Sequence, residues 1–435
     1  MTDHAAERSR RLHLAFGTGL IARIAGAIVQ LVSLPIAANT LGDSGFVLFG
    51  SALALLNLLM LSQLSVGSSM AIKMGEAWGA EDSAKIAAIY QHGLAITRRV
   101  CIVVAVAALF ILFVAPGLSS VFPTAGVTRD ALIATALVVL GMYVLTVNLV
   151  SHEGAIMAFQ ELQESYKYQI AGSVIAMVTV PLMAWLSPSI AGLLLALWIP
   201  QVAARIANIL SFRRRHRAEL FASPSWSPPL LGRGVLVMIS LAGTGMVSHF
   251  LPILLTANRF TVAQAADFTA VMNMITLFIT FYALTSYPFR GALPEALARK
   301  DNKWIVGTVT KTMVLNIAAG GAFLLGLGLF GDEIFALWFQ GAVTPSASML
   351  VWAGAYFLLF GIVELLRAFL IGADDLRYLT FWSVLMSLAI VGILWLGIPR
   401  MDGADIFMTL CLTLAGLGLI PFAARVLTRL RGASA

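Results

Sequence analysis

Several ionisable side chains lie inside long apolar stretches of this sequence, where a charge needs either a partner or a water-lined cavity. The candidates for chemistry among them are Arg23, Glu153, His249, Glu364 and Arg367. An ionisable group at mid-bilayer costs about 2.5–3.5 kcal/mol on insertion scales, so these residues are the first candidates for binding or coupling chemistry. A guanidinium there could meet an anionic group, and a carboxylate could bind a coupling ion or a proton.

Arg23 is the deepest of these charges. It lies nine residues into its apolar stretch, roughly 14 Å deep at 1.5 Å per residue, which is too deep for easy contact with the interface. One interpretation is that Arg23 lines a central cavity and binds an anionic group. The other is that it pairs with a carboxylate of another span and only holds helices together.

Two carboxylates occupy similar places in the two halves of the chain. Counted from Tyr168 and Tyr378, which align with each other, Glu153 and Glu364 fall one position apart. We therefore predict that they are matched residues that could bind a coupling ion or a proton. The spacing of Glu364 and Arg367 favours an alternative, because residues at i and i+3 share a helix face and can form an ion pair.

His249 is a candidate for a substrate-binding cavity, although a lone histidine in a span also commonly bonds to a neighbouring helix. Arg205 lies near the end of its apolar stretch, where its long side chain can reach the interface. Cys101 and Cys411 both lie in apolar stretches and predict neither a disulfide nor a metal cluster. The sequence has no Gly-rich phosphate motif and no metal-ligand spacing, so we expect no cofactor and no ATP hydrolysis.

The composition indicates which solvent surrounds these elements. Hydrophobic residues make up 60% of the chain and charged residues 11%, and the mean hydropathy is +0.91. Soluble domains carry about 25% charged residues, so a soluble particle of this composition could not cover its surface with polar groups. The sequence predicts an all-α polytopic membrane protein.

We predict twelve transmembrane helices, because a span needs about 20 apolar residues. Most of the 28 Lys and Arg residues fall at the termini or in loops after even-numbered spans, which predicts cytosolic N- and C-termini. The predicted spans lie near 14–38, 45–69, 98–118, 131–157, 168–187, 189–210, 234–256, 263–287, 312–331, 347–371, 378–398 and 404–426.

A basic run, 213–217, falls between the sixth and seventh predicted spans. It could contact anionic lipid headgroups, but we favour the interpretation that it is a topology anchor on a solvated linker. The location of the positive charge at the membrane favours these interpretations over nucleic-acid binding, which we do not expect.

The pattern of the first half recurs in the second half. Two pseudo-symmetric six-helix bundles, 1–218 and 219–435, are therefore predicted around a central cavity, as in many secondary transporters. At an offset of 219 positions, Phe49, Glu76 and Asp82 match Phe268, Glu295 and Asp301.

The first hundred residues carry a further set of features. A basic start leads into a Gly-rich span, and a short polar turn, Leu41–Phe46, precedes the second span. In these features the chain resembles the polysaccharide-transporter branch of the multidrug/oligosaccharidyl-lipid/polysaccharide exporter superfamily. The individual residues that carry the resemblance are Arg23, Gln30, Pro35, Gly67, Lys73, Gly75 and Glu76.

This resemblance implies a V-shaped pair of bundles that moves undecaprenyl-pyrophosphate-linked oligosaccharide across the bacterial cytoplasmic membrane. The implied partners are that lipid-linked substrate, membrane lipids and glycan assembly enzymes. Arg23 would then bind the pyrophosphate. Lipid II flippases of the superfamily usually have fourteen spans and several cavity arginines, and neither feature is present here.

Two other functions, multidrug export and polysaccharide synthesis, would need different sequence features. A cation-coupled multidrug exporter of the same superfamily typically has an acidic residue in the first span, where this chain has Arg23. Such an exporter would need a cavity carboxylate, and only Glu153 and Glu364 are available. A membrane polysaccharide polymerase or ligase would need a large extracytoplasmic loop, and the predicted loops on that side are short. We therefore expect a transporter and not an enzyme.

Overall fold

Helices are the only regular secondary structure in the part of the chain that the structure describes. The structure is a computed structural model, and it describes residues 2–60, 64–113, 126–159, 161–223, 247–298, 301–397 and 400–434.

The helices are numbered here in chain order. Those of the first half are α1 Thr2–Met60, α2 Leu64–Gly79, α3 Ser83–Phe113, α4 Arg129–Ala158, α5 Leu162–Leu186, α6 Ile190–Arg215 and the short α7 Arg217–Leu220. Those of the second half are α8 Val247–Ala257, α9 Val262–Ala298, α10 Asn302–Phe339, α11 Ala347–Gly372, α12 Leu376–Gly397, α13 Gly403–Thr413, a π-helical turn Leu414–Leu419, and α14 Ile420–Ser434.

The described ranges contain ten helical stretches that are long and apolar enough to cross a membrane. One of these, Gly17–Met60, contains most of the first and second predicted spans, and the shorter α8 is the described part of the seventh. Each of the other predicted spans overlaps a single described helical stretch, and residues 114–118 of the third lie outside the described residues. The predicted fold class, an all-α polytopic membrane protein, is confirmed.

Helix α1 changes direction at Gly42, which has φ 65° and ψ 176°. Only glycine adopts this conformation without strain. The side chains of Asn39 and Thr40 donate hydrogen bonds to the carbonyls of Pro35 and Ile36, at 3.0 and 2.6 Å. Bonds of this kind, from a side chain to the carbonyl four residues earlier, are often found where a helix bends. The turn predicted between the first two spans is therefore a glycine break within one long helix.

Internal contacts divide the chain into two compact units. The first contains the described residues of 1–45, 55–120 and 126–235, and the second contains those of 46–54 and 236–435. The predicted division into bundles 1–218 and 219–435 stays a prediction.

The core of the first unit lies where α2, α3, α4 and α6 meet. Met70, Met74, Tyr90, Phe159 and Phe212 are all at most 3% exposed in one continuous cluster. Burial of such side chains stabilises a unit by about 1.5–3 kcal/mol each when the reference is water.

Small residues bring α2 and α4 close together in the first unit. A Cβ on Gly154 would lie 2.5 Å from the carbonyl oxygen of Gly67. Glycine is therefore required at this crossing, as is common between transmembrane helices.

Helix α11 is the central helix of the second unit and packs against α9, α10 and α13. Tyr282 of α9 is fully buried against Gly361, and its ring lies 4.6 Å from that of Phe357. A chain of hydrogen bonds joins α9, α10 and α11. The hydroxyl of Thr285 donates to the side chain of Asn316, which donates to the carbonyl of Gly361, both at 3.0 Å.

Replacement of Gly42 by alanine tests the helix break. Because a β-carbon is strained at this φ and ψ, we expect the variant to lose about 1–3 kcal/mol of stability. The measurement is thermal unfolding of the purified protein in detergent. Gly17→Ala in the same helix is the control, because no heavy atom lies within 4 Å of its Cβ position. Equal stability of the two variants would contradict the prediction.

Candidate functional site

Arg23 lies on a face of α1 that differs from the exposed apolar face. Its side chain is half-buried. At 100° per residue, Gly26 and Gln30 project to the same side of the helix as Arg23. Ile21 and Ile24 are 55% and 51% exposed and project to the opposite half. We call the side that carries Arg23, Gly26 and Gln30 the polar face of α1.

The polar face of α1 is open at one turn and packed at the next. A Cβ on Gly26 would meet no heavy atom within 4 Å, whereas a Cβ on Gly19 would lie 2.9 Å from the ring of Tyr166 on α5. Ala22 and Ala25 form a third, buried side of the helix. The polar face therefore has open space among the described residues at Gly26, one turn from the arginine, and the arginine does not share a side with the exposed isoleucines.

Polar side chains pair with one another between α3 and α4 in the first unit. Buried polar groups need such partners in a membrane, because no water is present there to form their hydrogen bonds. The pairs are Tyr90 with Nδ1 of His152 at 2.6 Å, Thr97 with Ser151, and Asn148 with the thiol of Cys101 at 3.6 Å.

Glu153 faces Arg205 between α4 and α6. The Nε of Arg205 lies 3.7 Å from Oε1 of Glu153, and each side chain is 35% exposed. The structure thus places both residues in one ion pair, which their positions in the sequence did not predict. The predicted role of Glu153 in ion or proton coupling stays a prediction.

Glu364 and Arg367 form an ion pair on α11, as their spacing predicted. Their side chains are only 7% and 5% exposed. The Nε and Nη1 of Arg367 have no hydrogen-bond partner among the described residues. A buried pair of this kind is costly to break, because removal of one partner leaves the other charge uncompensated.

His249 is enclosed between α8 and α11. It is 3% exposed, and its Nδ1 lies 2.9 Å from the hydroxyl of Tyr356. The ring of Phe360 packs edge-on against it with centroids 4.6 Å apart. This is the bond to a neighbouring helix that was the alternative to a cavity role, and the cavity role stays a prediction.

A carboxylate just before α5 binds the end of α6. Glu161 accepts hydrogen bonds from Nη2 of Arg215 at 2.6 Å and from Nε2 of His216 at 2.9 Å. The His216 ring packs on Phe159 and Phe212, with centroids 4.3 and 4.9 Å away. Burial raises the pKa of Glu161, but the bonds from His216 and Arg215 outweigh it and hold that pKa below its ordinary value.

A second carboxylate has the same place before α12. Asp375 accepts bonds from Nε and Nη2 of Arg425 at 2.7 and 3.1 Å and from Nε of Arg429 at 3.0 Å. The Cζ of Arg425 also lies 5.2 Å from the centroid of the Tyr378 ring. Hydrogen bonds from Arg425 and then Arg429 lower the pKa of Asp375. Neither carboxylate was a candidate in the sequence, since their partners lie about fifty residues away.

Solved structures with the same fold are transporters. An inward-facing multidrug resistance MATE family transporter of the MOP superfamily has a TM-score of 0.74 at 14% identity, over 95% of this chain and 99% of that one. The VcmN MATE transporter of Vibrio cholerae, in a mutant form, has a TM-score of 0.65 at 16% identity over 98% of both chains.

A MOP superfamily transporter from Pyrococcus furiosus has a TM-score of 0.64 at 13% identity, over 95% of this chain and 96% of that one. It is described as having a binding pocket of reverse polarity, which suggests a different function. No family model matches the sequence, and no curated protein matches it. The chain thus has the fold of MOP superfamily transporters, MATE-like in form, and is a multi-pass membrane protein.

Variants of the α11 ion pair test whether it is structural. We expect Arg367→Met to lose about 3–5 kcal/mol of stability, because the buried Glu364 then loses the positive charge of this ion pair. The double variant Glu364→Leu with Arg367→Met should recover most of that loss. Thermal unfolding in detergent measures both variants. If the double variant is no more stable than the single one, the pair is not the source of the loss.

The acid dependence of stability tests the Asp375 interaction. Because folding lowers this pKa, the stabilisation is present above the ordinary value of 3.8 and is lost as the pH falls through the lower folded value. We expect Asp375→Asn to unfold at a lower temperature than the unmodified protein at pH 6. The difference should shrink as the pH falls below 3.8. A difference that is constant from pH 6 down to acid would contradict the prediction.

Proposed function

We propose that this protein is a flippase that moves undecaprenyl-pyrophosphate-linked oligosaccharide across the bacterial cytoplasmic membrane by alternating access. The observation that carries the proposal is the polar face of α1, where the half-buried Arg23 lies one turn from the open space at Gly26 and on a different side from the exposed isoleucines. The fold shared with MOP superfamily transporters supports transport as the general activity.

The chemistry of the cargo matches a single deep cation. A pyrophosphate and several sugars would be rejected by hydrocarbon, while the polyprenyl tail can stay in the bilayer. A guanidinium at mid-depth lowers the barrier for the pyrophosphate, because it offers up to five N–H donors and a positive charge. Gln30, one helical repeat further along the same face, can add a neutral hydrogen-bonding group for phosphate or sugar.

A cation-coupled multidrug exporter is the second candidate, favoured by the similarity to a multidrug resistance transporter. It needs a carboxylate that can exchange a cation or a proton. Glu153 faces Arg205 and Glu364 is paired with Arg367, so each of the two membrane carboxylates has an arginine beside it. These arginines compete with any coupling cation, and this favours the anionic cargo.

The same proposal includes roles for three further residues, the partners of the protein and its location. Glu153 and Glu364 are the candidates for ion or proton coupling, and His249 is a second candidate for the binding cavity. The proposed partners are the lipid-linked oligosaccharide, membrane lipids and the glycan assembly enzymes that make and use it. The proposed location is the cytoplasmic membrane, with both termini in the cytosol.

Substitution of Arg23 tests the assignment of the pyrophosphate contact. In a strain that lacks the gene, we expect Arg23→Ala to leave surface glycan at or below about a tenth of its normal amount, since a charge-assisted contact contributes about 1.5–3 kcal/mol. Arg23→Lys should retain part of the activity, because it keeps the charge. Surface glycan and the accumulated precursor are measured together, with protein level as a check.

Ile24→Ala is the matched control, because its side chain lies on the exposed apolar side of the same turn. Full activity of Arg23→Ala would remove the arginine from the mechanism. Normal surface glycan in the deletion strain, together with increased sensitivity to cationic dyes, would replace the flippase with the exporter.

A further inference from the structure

The two units contain similar short linkers, one before α5 in the first unit and one before α12 in the second. In the first unit the linker between α4 and α5 is 159–161, and in the second the linker between α11 and α12 is 373–375. Each is three residues long and ends in an acidic residue, Glu161 or Asp375. The two linkers are 214 positions apart.

The backbone hydrogen bonds of the two linkers follow the same pattern. In each, the acidic residue donates its N–H to the carbonyl five residues earlier, and the first linker residue donates to the carbonyl four residues earlier. The equivalent bonds are Glu161 to Ile156 at 3.1 Å and Asp375 to Leu370 at 3.0 Å, then Phe159 to Ala155 at 3.1 Å and Ala373 to Phe369 at 2.8 Å. Every pair differs by 214 positions.

The partners of the two carboxylates also correspond. Glu161 binds Arg215, which lies 54 residues later, and Asp375 binds Arg429, which also lies 54 residues later. Arg215 is the last residue of α6, and Arg429 lies in α14, the last helix of the second unit. Agreement in linker length, backbone bonding and partner position is unexpected for surface ion pairs that arose independently.

The offset of 214 positions changes which residues of the two halves correspond. At an offset of 214, the position equivalent to Glu153 is Arg367, whereas counting from the two aligned tyrosines paired Glu153 with Glu364. The carboxylates that correspond best in the two units are therefore Glu161 and Asp375, at the ends of the helices and outside the apolar spans.

The packing of the first unit indicates what the interaction does. Helix α5 packs mainly on α6 and makes few contacts with α4, whereas α6 packs on α4. Helix α5 has 25 residues, so it is roughly 37 Å long at 1.5 Å per residue. An ion pair between the residue before α5 and the end of α6 therefore joins one end of a long, weakly supported helix to its main neighbour.

We propose that Glu161 and Asp375 are matched positioning residues. Glu161 holds α5 and α6 together as one rigid pair, and Asp375 holds α12 and α14 together in the same way. We call the Glu161–Arg215 and Asp375–Arg429 interactions the two latches. Bonds from His216 and Arg215 lower the pKa of Glu161, and bonds from Arg425 and Arg429 lower the pKa of Asp375, which agrees with ionised groups at both positions. The role in transport rests on the proposed function, whereas the mechanical role does not.

Hydrogen–deuterium exchange of the full-length protein in lipid nanodiscs tests the first latch. We expect Glu161→Gln to increase amide exchange about three- to tenfold in 161–165 and 211–216, since a charge-assisted bond is replaced by a weaker one. Exchange in α3 should not change. Asp375→Asn should have the same effect on 375–379 and 425–429.

Glu164→Gln is the matched control for the first latch. Glu164 also forms an ion pair, with Lys167 at 2.7 Å, but both residues are on the same helix. We expect no change in exchange at 211–216 for this variant. The charge reversal Glu161→Arg with Arg215→Glu should restore slow exchange. Equal behaviour of the two glutamine variants, or failure of the reversal to restore it, would overturn the proposal.

A transport measurement separates positioning from substrate binding. Neutralisation of either carboxylate should lower the maximal rate of transport and leave the apparent affinity for substrate unchanged, and Glu161→Asp should retain part of the rate. A change in affinity alone would overturn the positioning role. If the protein transports another cargo, the exchange measurement still decides whether the latches exist.

Discussion

The constraint on which the structure depends is the absence of water from the bilayer interior. A polar group there must find its partner within the protein, because lipid offers none. This explains why the polar side chains of α3 pair with those of α4, and why Thr285, Asn316 and the carbonyl of Gly361 form one chain of bonds. It also explains why the buried charges of α11 occur together, at a spacing that puts both on one side of the helix.

Arg23 differs from these groups in its surroundings. The α11 pair is buried within one unit, whereas Arg23 is half-buried on a face with open space at the next turn. Helix α1 thus has three sides with different neighbours: an exposed apolar side, a packed side of alanines and a polar side.

The location of the spans could be predicted from the sequence because the signal is the length of an apolar run. The predicted span 347–371, for example, coincides with α11 to within one residue. The predicted span 98–118 covers only part of α3, which begins at Ser83, so Tyr90 and Thr97 lay outside the prediction. Polar residues at the beginning of a long helix lower its mean hydropathy without ending the helix.

Partners across long separations in the sequence could not be predicted. Glu161 and Asp375 resemble ordinary loop residues, and the arginines that bind them lie 50 to 54 positions away. By contrast, the Glu364–Arg367 pair was predicted because its two members lie on one helical turn. Pairing within a helix follows from spacing alone, whereas pairing between helices requires the tertiary packing.

The break at Gly42 lies just before the position where the chain changes from one unit to the other. Residues up to 45 belong to the first unit, 46–54 belong to the second, and the chain returns to the first unit at 55. The two units are therefore not consecutive segments of the polypeptide. Cleavage between α7 and α8 would leave 46–54 attached to the wrong fragment, so the halves are expected to be interdependent for folding and not separable as autonomous domains.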